Sequence, residues 1–286
     1  MNIEMDTDID YSKKIKIVRK KDNFLKELKT NGYTVIPNVI EEDLLVKHRK
    51  QMWEMLYDLT SNWDTPIEED NIKSYKGFYD LMPLHSMLLQ HWQVGHSQLV
   101  WDIRQNQNII NSFSKIYKTD DLLVSFDGMS IHFPPEDTKR GWYNKKWFHT
   151  DQSFYDEGFK CAQGIVTLYN VNEGDASLVL LEKSHLYHHL VKDNYDLGKR
   201  VGFNRLTEEQ VEFYLNKGCI EKRITCPAGS LILFDSRTIH YGSEALKCRS
   251  EKNMRCVVYV CYLPKFGCDS KQLEKRKKYF EDMRMT

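Results

Sequence analysis

The sequence has no CxxC pair, no apolar run long enough to cross a bilayer, no excess of either charge and no internal repeat. Its seven scattered cysteines therefore suggest neither a zinc knuckle nor a disulfide framework, and read as reduced, mostly buried thiols. The 41 basic residues balance 41 acidic ones, so no global field draws in nucleic acid or a membrane surface. The opening "MNIEMDTDIDYSKKIKIVRKK" has neither an apolar signal core nor a cleavage site. These absences lead to the expectation of a soluble cytoplasmic protein; nucleic acid is disfavoured and oligomeric state is left open.

What is present is enough apolar material for a substantial core. The chain has 286 residues, 41% of them hydrophobic, which suits one elaborated domain. Residues 1–22 turn from acidic to basic with little periodicity and read as a flexible arm. From residue 23 a single domain is expected, helical to about residue 120. "FLKELKTNGYTVIP" reads as helix, Gly turn and strand, and Leu44, Leu45, Met52, Met55 and Leu56 then recur at helical spacing. From Leu81 to about Tyr117 the pattern stays helical, interrupted only at Gly95.

Strand character takes over at about residue 121 and lasts to about 264. "DLLVSFDGMSIHF", "GIVTLYNV", "ASLVLLE", "CIEKRIT", "GSLILFD" and "MRCVVYVCYL" are short and separated by turn residues. This argues for a sandwich or jelly roll rather than a parallel sheet, hence a mainly β fold with flanking α-helices. Between Ser184 and Gly218 lies a mixed insertion, where Thr207 and Gln210 form a capping box. Residues 270–286 read as a charged terminal helix.

Chemistry concentrates in "KKWFHTDQSF". In an extended stretch, side chains two apart share a face, so His149 and Asp151 converge while Phe148 and Thr150 point away. A third ligand is offered by His240, at the end of the apolar strand in "AGSLILFDSRTIHYGS". Two histidines and one carboxylate on one face of an iron ion are the facial triad of non-haem Fe(II) oxygenases. Arg255 opens a strand that should otherwise be buried, and a guanidinium there needs an anionic partner.

The order of these motifs resembles the phytanoyl-CoA dioxygenase family of Fe(II)- and 2-oxoglutarate-dependent oxygenases. "NGYTVIPNVIEEDLL", "WFHTDQSF", "GDASLVLLEKSH" and "CPAGSLILFDSRTIHYGS" carry the resemblance, which runs from about Leu28 to Pro264. It implies a double-stranded β-helix, the cupin-like jelly roll. It also implies Fe(II) held by His149, Asp151 and His240, with 2-oxoglutarate gripped by Arg255. Ser243 is expected as a further co-substrate contact, although "HYGS" sets it one residue later than the usual "HGS". Met129 matches a strand position that lines the co-substrate pocket, and Ile165 stands where some relatives place a tryptophan. The implied reaction uses O2 to oxidise a C–H bond of an unidentified small molecule, lipid-like ones included, and releases succinate and carbon dioxide. Related halogenases replace the carboxylate ligand with a small residue, so Asp151 favours hydroxylation or a related oxidation.

Three rival readings stand beside this one: a non-catalytic jelly-roll protein, a cupin-type metalloenzyme without 2-oxoglutarate, and a hydroxylase of a protein side chain. Arg255 separates the second from the main reading, because its charge has an evident use only with a dicarboxylate. Among the remaining histidines, His185 reads as structural and His188 and His189 as solvated. His85, His91 and His96 read as packing or exposed residues before entrance residues, and His132 as a substrate contact only if it faces inward. The basic runs "KKIKIVRKK" and "KRKK" read as solvated faces.

Overall fold

The computed structural model describes residues 23–197 and 202–285. The expected arm at residues 1–22 lies outside the described residues. The chain opens with helix α1 (Phe24–Asn31), which stops where Gly32 turns left-handed at φ 83° and returns its N–H to Leu28. Strand β1 (Tyr33–Ile36) and the long helix α2 (Glu42–Thr60) follow, and α2 buries Leu45, Met52 and Leu56 while Leu44 and Met55 are half-buried.

The continuous helical stretch expected after Leu81 is not formed. Residues 82–97 are mainly irregular, with left-handed backbone at Met82, His85, Ser86, Trp92 and Gln93. Within them the short strand β2 (Leu88–Leu89) joins a sheet edge by pairing with β4 (Met129–His132). A Cβ at Gly128 would lie 1.9 Å from the Leu89 carbonyl, so this approach of backbones requires glycine. Helices resume as α3 (Gln98–Arg104) and α4 (Gln107–Tyr117), each started by a side-chain cap, Ser97 and Asn106 respectively. The expected strand through "DLLVSFDGMSIHF" is likewise split, into β3 (Leu122–Val124) and β4. After β4 comes the one-turn α5 (Pro135–Thr138).

Eight further strands complete two sheets, all paired antiparallel. They are β5 (His149–Thr150), β6 (Ala162–Thr167), β7 (Ser177–Glu182) and β8 (Asn204–Arg205). Then come β9 (Ile220–Arg223), β10 (Leu231–Asp235), β11 (His240–Ser243) and β12 (Arg255–Pro264). The larger sheet runs β1-β10-β6-β12-β4-β2, with β3 also paired to β12; the smaller runs β8-β5-β11-β7-β9. The insertion carries the short α6 (Val191–Asn194) and α7 (Glu208–Asn216), and α7 has the anticipated Thr207–Gln210 capping box. The terminal helix α8 spans Ser270–Glu281, shorter than expected.

Alternation along the strands sorts side chains into three apolar layers. Leu231, Leu233, Val258 and Val260 turn outward from the larger sheet to meet α2, α3 and α4. Ile165, Ile232, Phe234 and Val257 turn inward to meet Leu178 and Leu180 of the smaller sheet. On that sheet's outer face Phe148, Val179, Leu181 and Tyr241 pack with Tyr214 of α7. The result is a two-sheet antiparallel jelly roll with helices on its flanks, as the strand pattern led us to expect.

Candidate metal centre

The two histidines singled out from sequence are cross-strand neighbours. His149 on β5 lies directly opposite His240 on β11, with ring centroids 4.2 Å apart. Asp151, two residues beyond His149, turns to the same side: its Oδ1 is 3.7 Å from His149 Nε2 and its Oδ2 is 3.5 Å from His240 Nε2. One ligand atom from each of the three lies within 4.8 Å of the other two. Alternation holds on the other face, where Phe148 enters the outer core and Thr150 bonds to the Ser236 carbonyl.

Hydrogen bonds behind the rings fix their chemistry. His149 Nδ1 lies 3.3 Å from the Trp147 carbonyl and His240 Nδ1 lies 2.9 Å from the Thr238 carbonyl. A carbonyl only accepts, so each Nδ1 carries a proton and each Nε2 is the ring nitrogen turned to Asp151. Burial, reinforced by the neighbouring His240, lowers His149 to about 3, which keeps it neutral. At Asp151 burial favours the acid, but His240, His149 and the Gln163 amide outweigh it and hold the carboxyl below its usual range. Gln163 donates from Nε2 to Asp151 Oδ2 at 2.8 Å. Two imidazole Nε2 atoms and a carboxylate form a donor set suited to a divalent transition metal, so these residues fit the iron that the resemblance implies.

Arg255 opens into the same cavity of about 360 Å³, whose lining includes Ile165, Leu178 and Phe234. The residue is 5% exposed. Its guanidinium donates to Ser130 Oγ and lies 3.6 Å from the Met87 sulfur, and among the described residues no carboxylate pairs with it. A cation buried with only a hydroxyl and a thioether for company is far from electrostatic balance. The donor set and this arginine together fit a chelated metal with a dicarboxylate beside it.

The other two expected co-substrate contacts lie elsewhere. Met129 is fully buried in the layer between the larger sheet and the helices, and the next residue, Ser130, reaches Arg255. Ser243 does not line the cavity: its Oγ accepts from Arg223 at 2.6 Å and donates to the Glu244 carbonyl at 3.0 Å. Gly242 lines the cavity instead. Both displacements are by one residue, which on a strand means the opposite face. His132 is buried on β4 with Nε2 donating to the Gly141 carbonyl at 2.8 Å, outside the cavity lining. His188, expected to be solvated, is buried against Phe154 and bonds to the Gln152 carbonyl. His185 is held by the Lys29 carbonyl, in keeping with a structural role.

Further residues line the cavity, among them His85, which from sequence reads as a packing or exposed residue before an entrance residue. His85 stacks on Trp147 at 3.8 Å and 5°, and Trp147 stacks in turn on His149 at 4.7 Å and 3°. The Trp147 indole N–H is tied to the Gly242 carbonyl, which holds this ladder over the centre. Phe203 also packs against His149, with ring centroids 4.9 Å apart. Gln163 had a readable signal: it is a polar residue two before Ile165, on the inward face of a strand otherwise apolar there.

Comparison with solved structures places this architecture. The non-haem α-ketoglutarate-dependent carbocyclase SnoK from nogalamycin biosynthesis superposes with a TM-score of 0.53 at 14% identity, covering 84% of this chain and 83% of its own. The two share a jelly-roll fold. HygX from Streptomyces hygroscopicus, with nickel and 2-oxoglutarate bound, matches at 0.53 and 13% identity over 87% of this chain and 88% of its own. EctD from S. alaskensis, with 2-oxoglutarate and 5-hydroxyectoine, matches at 0.52 and 13% over 83% and 74%. No family model matches the sequence. Ava biosynthesis cluster protein O of Aspergillus versicolor is 28% identical over 201 residues, 67% of this chain; the chain spans 62% of that protein's length.

Proposed function

We propose that this protein is an Fe(II)- and 2-oxoglutarate-dependent dioxygenase of the phytanoyl-CoA dioxygenase type that hydroxylates a small molecule. The observation that carries the reading is Arg255, a buried guanidinium without a carboxylate partner among the described residues, in one cavity with His149, Asp151 and His240. A non-catalytic protein or a metalloenzyme without 2-oxoglutarate has no use for that charge, whereas the distal carboxylate of 2-oxoglutarate would satisfy it bidentately.

Under this reading His149 Nε2, His240 Nε2 and Asp151 hold Fe(II), and Arg255, oriented by Ser130, binds the distal carboxylate. The iron and 2-oxoglutarate supply an oxidant for a C–H bond, with succinate and carbon dioxide as co-products. The chain's own residues orient and shield. The Trp147 and Thr238 carbonyls set the tautomers, Gln163 fixes one carboxylate oxygen of Asp151, and Ile165, Leu178 and Phe234 keep the arginine's surroundings dry. Asp151 stands where a halogenase would lack a carboxylate, which supports hydroxylation or a related oxidation. Both sheets contribute to the centre, which supports one catalytic domain across the described chain. The biosynthetic contexts in the names of SnoK and the Aspergillus protein, and the 5-hydroxyectoine in EctD, support a small-molecule substrate. No helix among the described residues is long and apolar enough to cross a membrane, and all seven cysteines are unpaired, which supports a cytoplasmic setting.

The test is anaerobic titration of the purified protein with Fe(II) and 2-oxoglutarate, followed by visible absorption. The expected result is a weak charge-transfer band that requires both additions and is absent in His240→Ala. Metal binding without such a band would overturn the reading.

A further inference from the structure

The cavity has a polar wall that the proposed iron and co-substrate leave unused. Gln163 on β6 and Cys261 on β12 are register partners, so both side chains face inward together. Gln163 commits its Nε2 to Asp151, while its Oε1 is buried with no hydrogen-bond partner among the described residues. An unpaired buried carbonyl is an acceptor waiting for a donor. Asp127 lines the same cavity from the link between β3 and β4. Its main-chain carbonyl is taken by the Arg104 guanidinium and its Oδ2 accepts from Ser125 Oγ at 2.5 Å, which leaves Oδ1 without a described hydrogen bond. Gln90 uses its Oε1 on the Gly128 N–H at 2.8 Å.

The charge balance of the lining narrows what can sit there. Arg255 is the only lysine or arginine among the described lining residues, and the function proposed above assigns it to the distal carboxylate of 2-oxoglutarate. A carboxylate or phosphate beside Gln163 and Asp127 would face acceptor oxygens, and the neighbouring Arg104 guanidinium is already committed to the Gly95 and Asp127 carbonyls. A hydroxyl or amine would meet two acceptors. Elsewhere the lining is apolar or aromatic, with Leu84, Leu88, Trp147 and Phe203 available to a hydrophobic body.

Resting on that proposed function, we propose that Gln163 Oε1 and Asp127 Oδ1 form an acceptor subsite for the substrate. It selects molecules carrying a hydroxyl or amine donor close to the carbon to be oxidised and rejects those carrying an anionic group there. Gln163 touches Asp151 and the substrate through opposite ends of one amide, so the donor is held within a side chain's reach of the metal centre.

The experiment compares three probes with a common phenyl body: 2-phenylethanol, 2-phenylethylamine and phenylacetate. Each is titrated into the protein loaded anaerobically with Fe(II) and 2-oxoglutarate, and the shift of the charge-transfer band gives its affinity. Succinate formation after oxygen is admitted gives a second readout. The alcohol or the amine is expected to bind at least ~10-fold more tightly than phenylacetate, the scale of one hydrogen bond to a buried group. Response to the alcohol alone identifies a neutral donor, and response to the amine alone a cationic one. Asp127→Asn, which keeps shape and does not touch Asp151, should weaken the amine by roughly 10-fold or more; Gln163→Leu should weaken whichever donor binds. Phenylacetate binding as tightly as the others, no response to any probe, or unchanged affinities in both variants would overturn the subsite. Failure of the charge-transfer band itself, before any probe is added, would instead overturn the dioxygenase reading.

Discussion

Arg255 and Gln163 make different demands on an experiment, because one faces a co-substrate and the other a ligand. Removing the guanidinium should leave the triad intact and deprive a dicarboxylate of its partner. We expect Arg255→Leu to raise the half-saturating concentration of 2-oxoglutarate by about 100-fold while Fe(II) affinity changes little, since truncating one member of a buried charged pair costs several kcal/mol. Separate calorimetric titrations of metal and co-substrate check this. Gln163→Leu should do the reverse. Loss of its 2.8 Å bond frees Asp151, and we expect Fe(II) affinity to fall about 10- to 100-fold, the usual effect of removing a partner that orients a ligand. Equal effects of both variants on both titrations would show that the two roles are not separate. At this scale much of the site could be read directly: "HTD", the histidine closing an apolar strand and the arginine opening another all announce themselves by residue type. Met129 and Ser243 face away from the cavity for a shared reason, that one position along a strand moves a side chain to the other face.

Elements bring the ligands together. His149 and His240 meet because β5 and β11 pair with those two residues in register. The strand β2 was hidden because its two residues carry no alternation to detect, and its pairing with β4 depends on Gly128 rather than on any property of Leu88 and Leu89. Gly128→Ala should force the Leu89 carbonyl away and loosen that sheet edge. We expect a loss of about 1–3 kcal/mol, seen as a lower urea midpoint, with the irregular segment 82–97 becoming more open to proteolysis. Unchanged stability and cleavage would mean that the β2–β4 contact contributes nothing. Because His85 lies in that segment and stacks on Trp147, the same variant should also disturb the near-ultraviolet tryptophan signal.

For the whole molecule, two buried histidines outside the candidate ligand set tie stability to pH. Burial lowers His132 and His188 to about 4 each, with Arg255 and Arg249 acting on the first and Arg237 on the second. Unfolded, each would titrate near 6.5. Between those values the unfolded chain binds more protons than the folded one, so stability must fall as pH drops from 6.5 towards 4. Each unit of separation corresponds to about 1.4 kcal/mol per histidine. Urea unfolding at pH 7 and at pH 5 should therefore show a clear loss at the lower pH, and His188→Asn should flatten the dependence. A variant with the slope of the parent protein would remove His188 from this account.

By itself the sequence determined the class of secondary structure, the antiparallel character of the core and the residue types of the candidate centre. Those follow from local rules: strand periodicity, turn residues, a capping box and the ligand chemistry of histidine and carboxylate. It did not determine which residues 82–97 leave the helix, how Arg255 is held, or which face of β4 and β11 meets the cavity. Those depend on contacts between segments far apart in the chain, such as Met87 with Arg255 and Gln163 with Asp151. Only the closing of two sheets on one another puts two histidines, a carboxylate and an uncompensated cation into a single cavity, because no one strand carries more than part of that set.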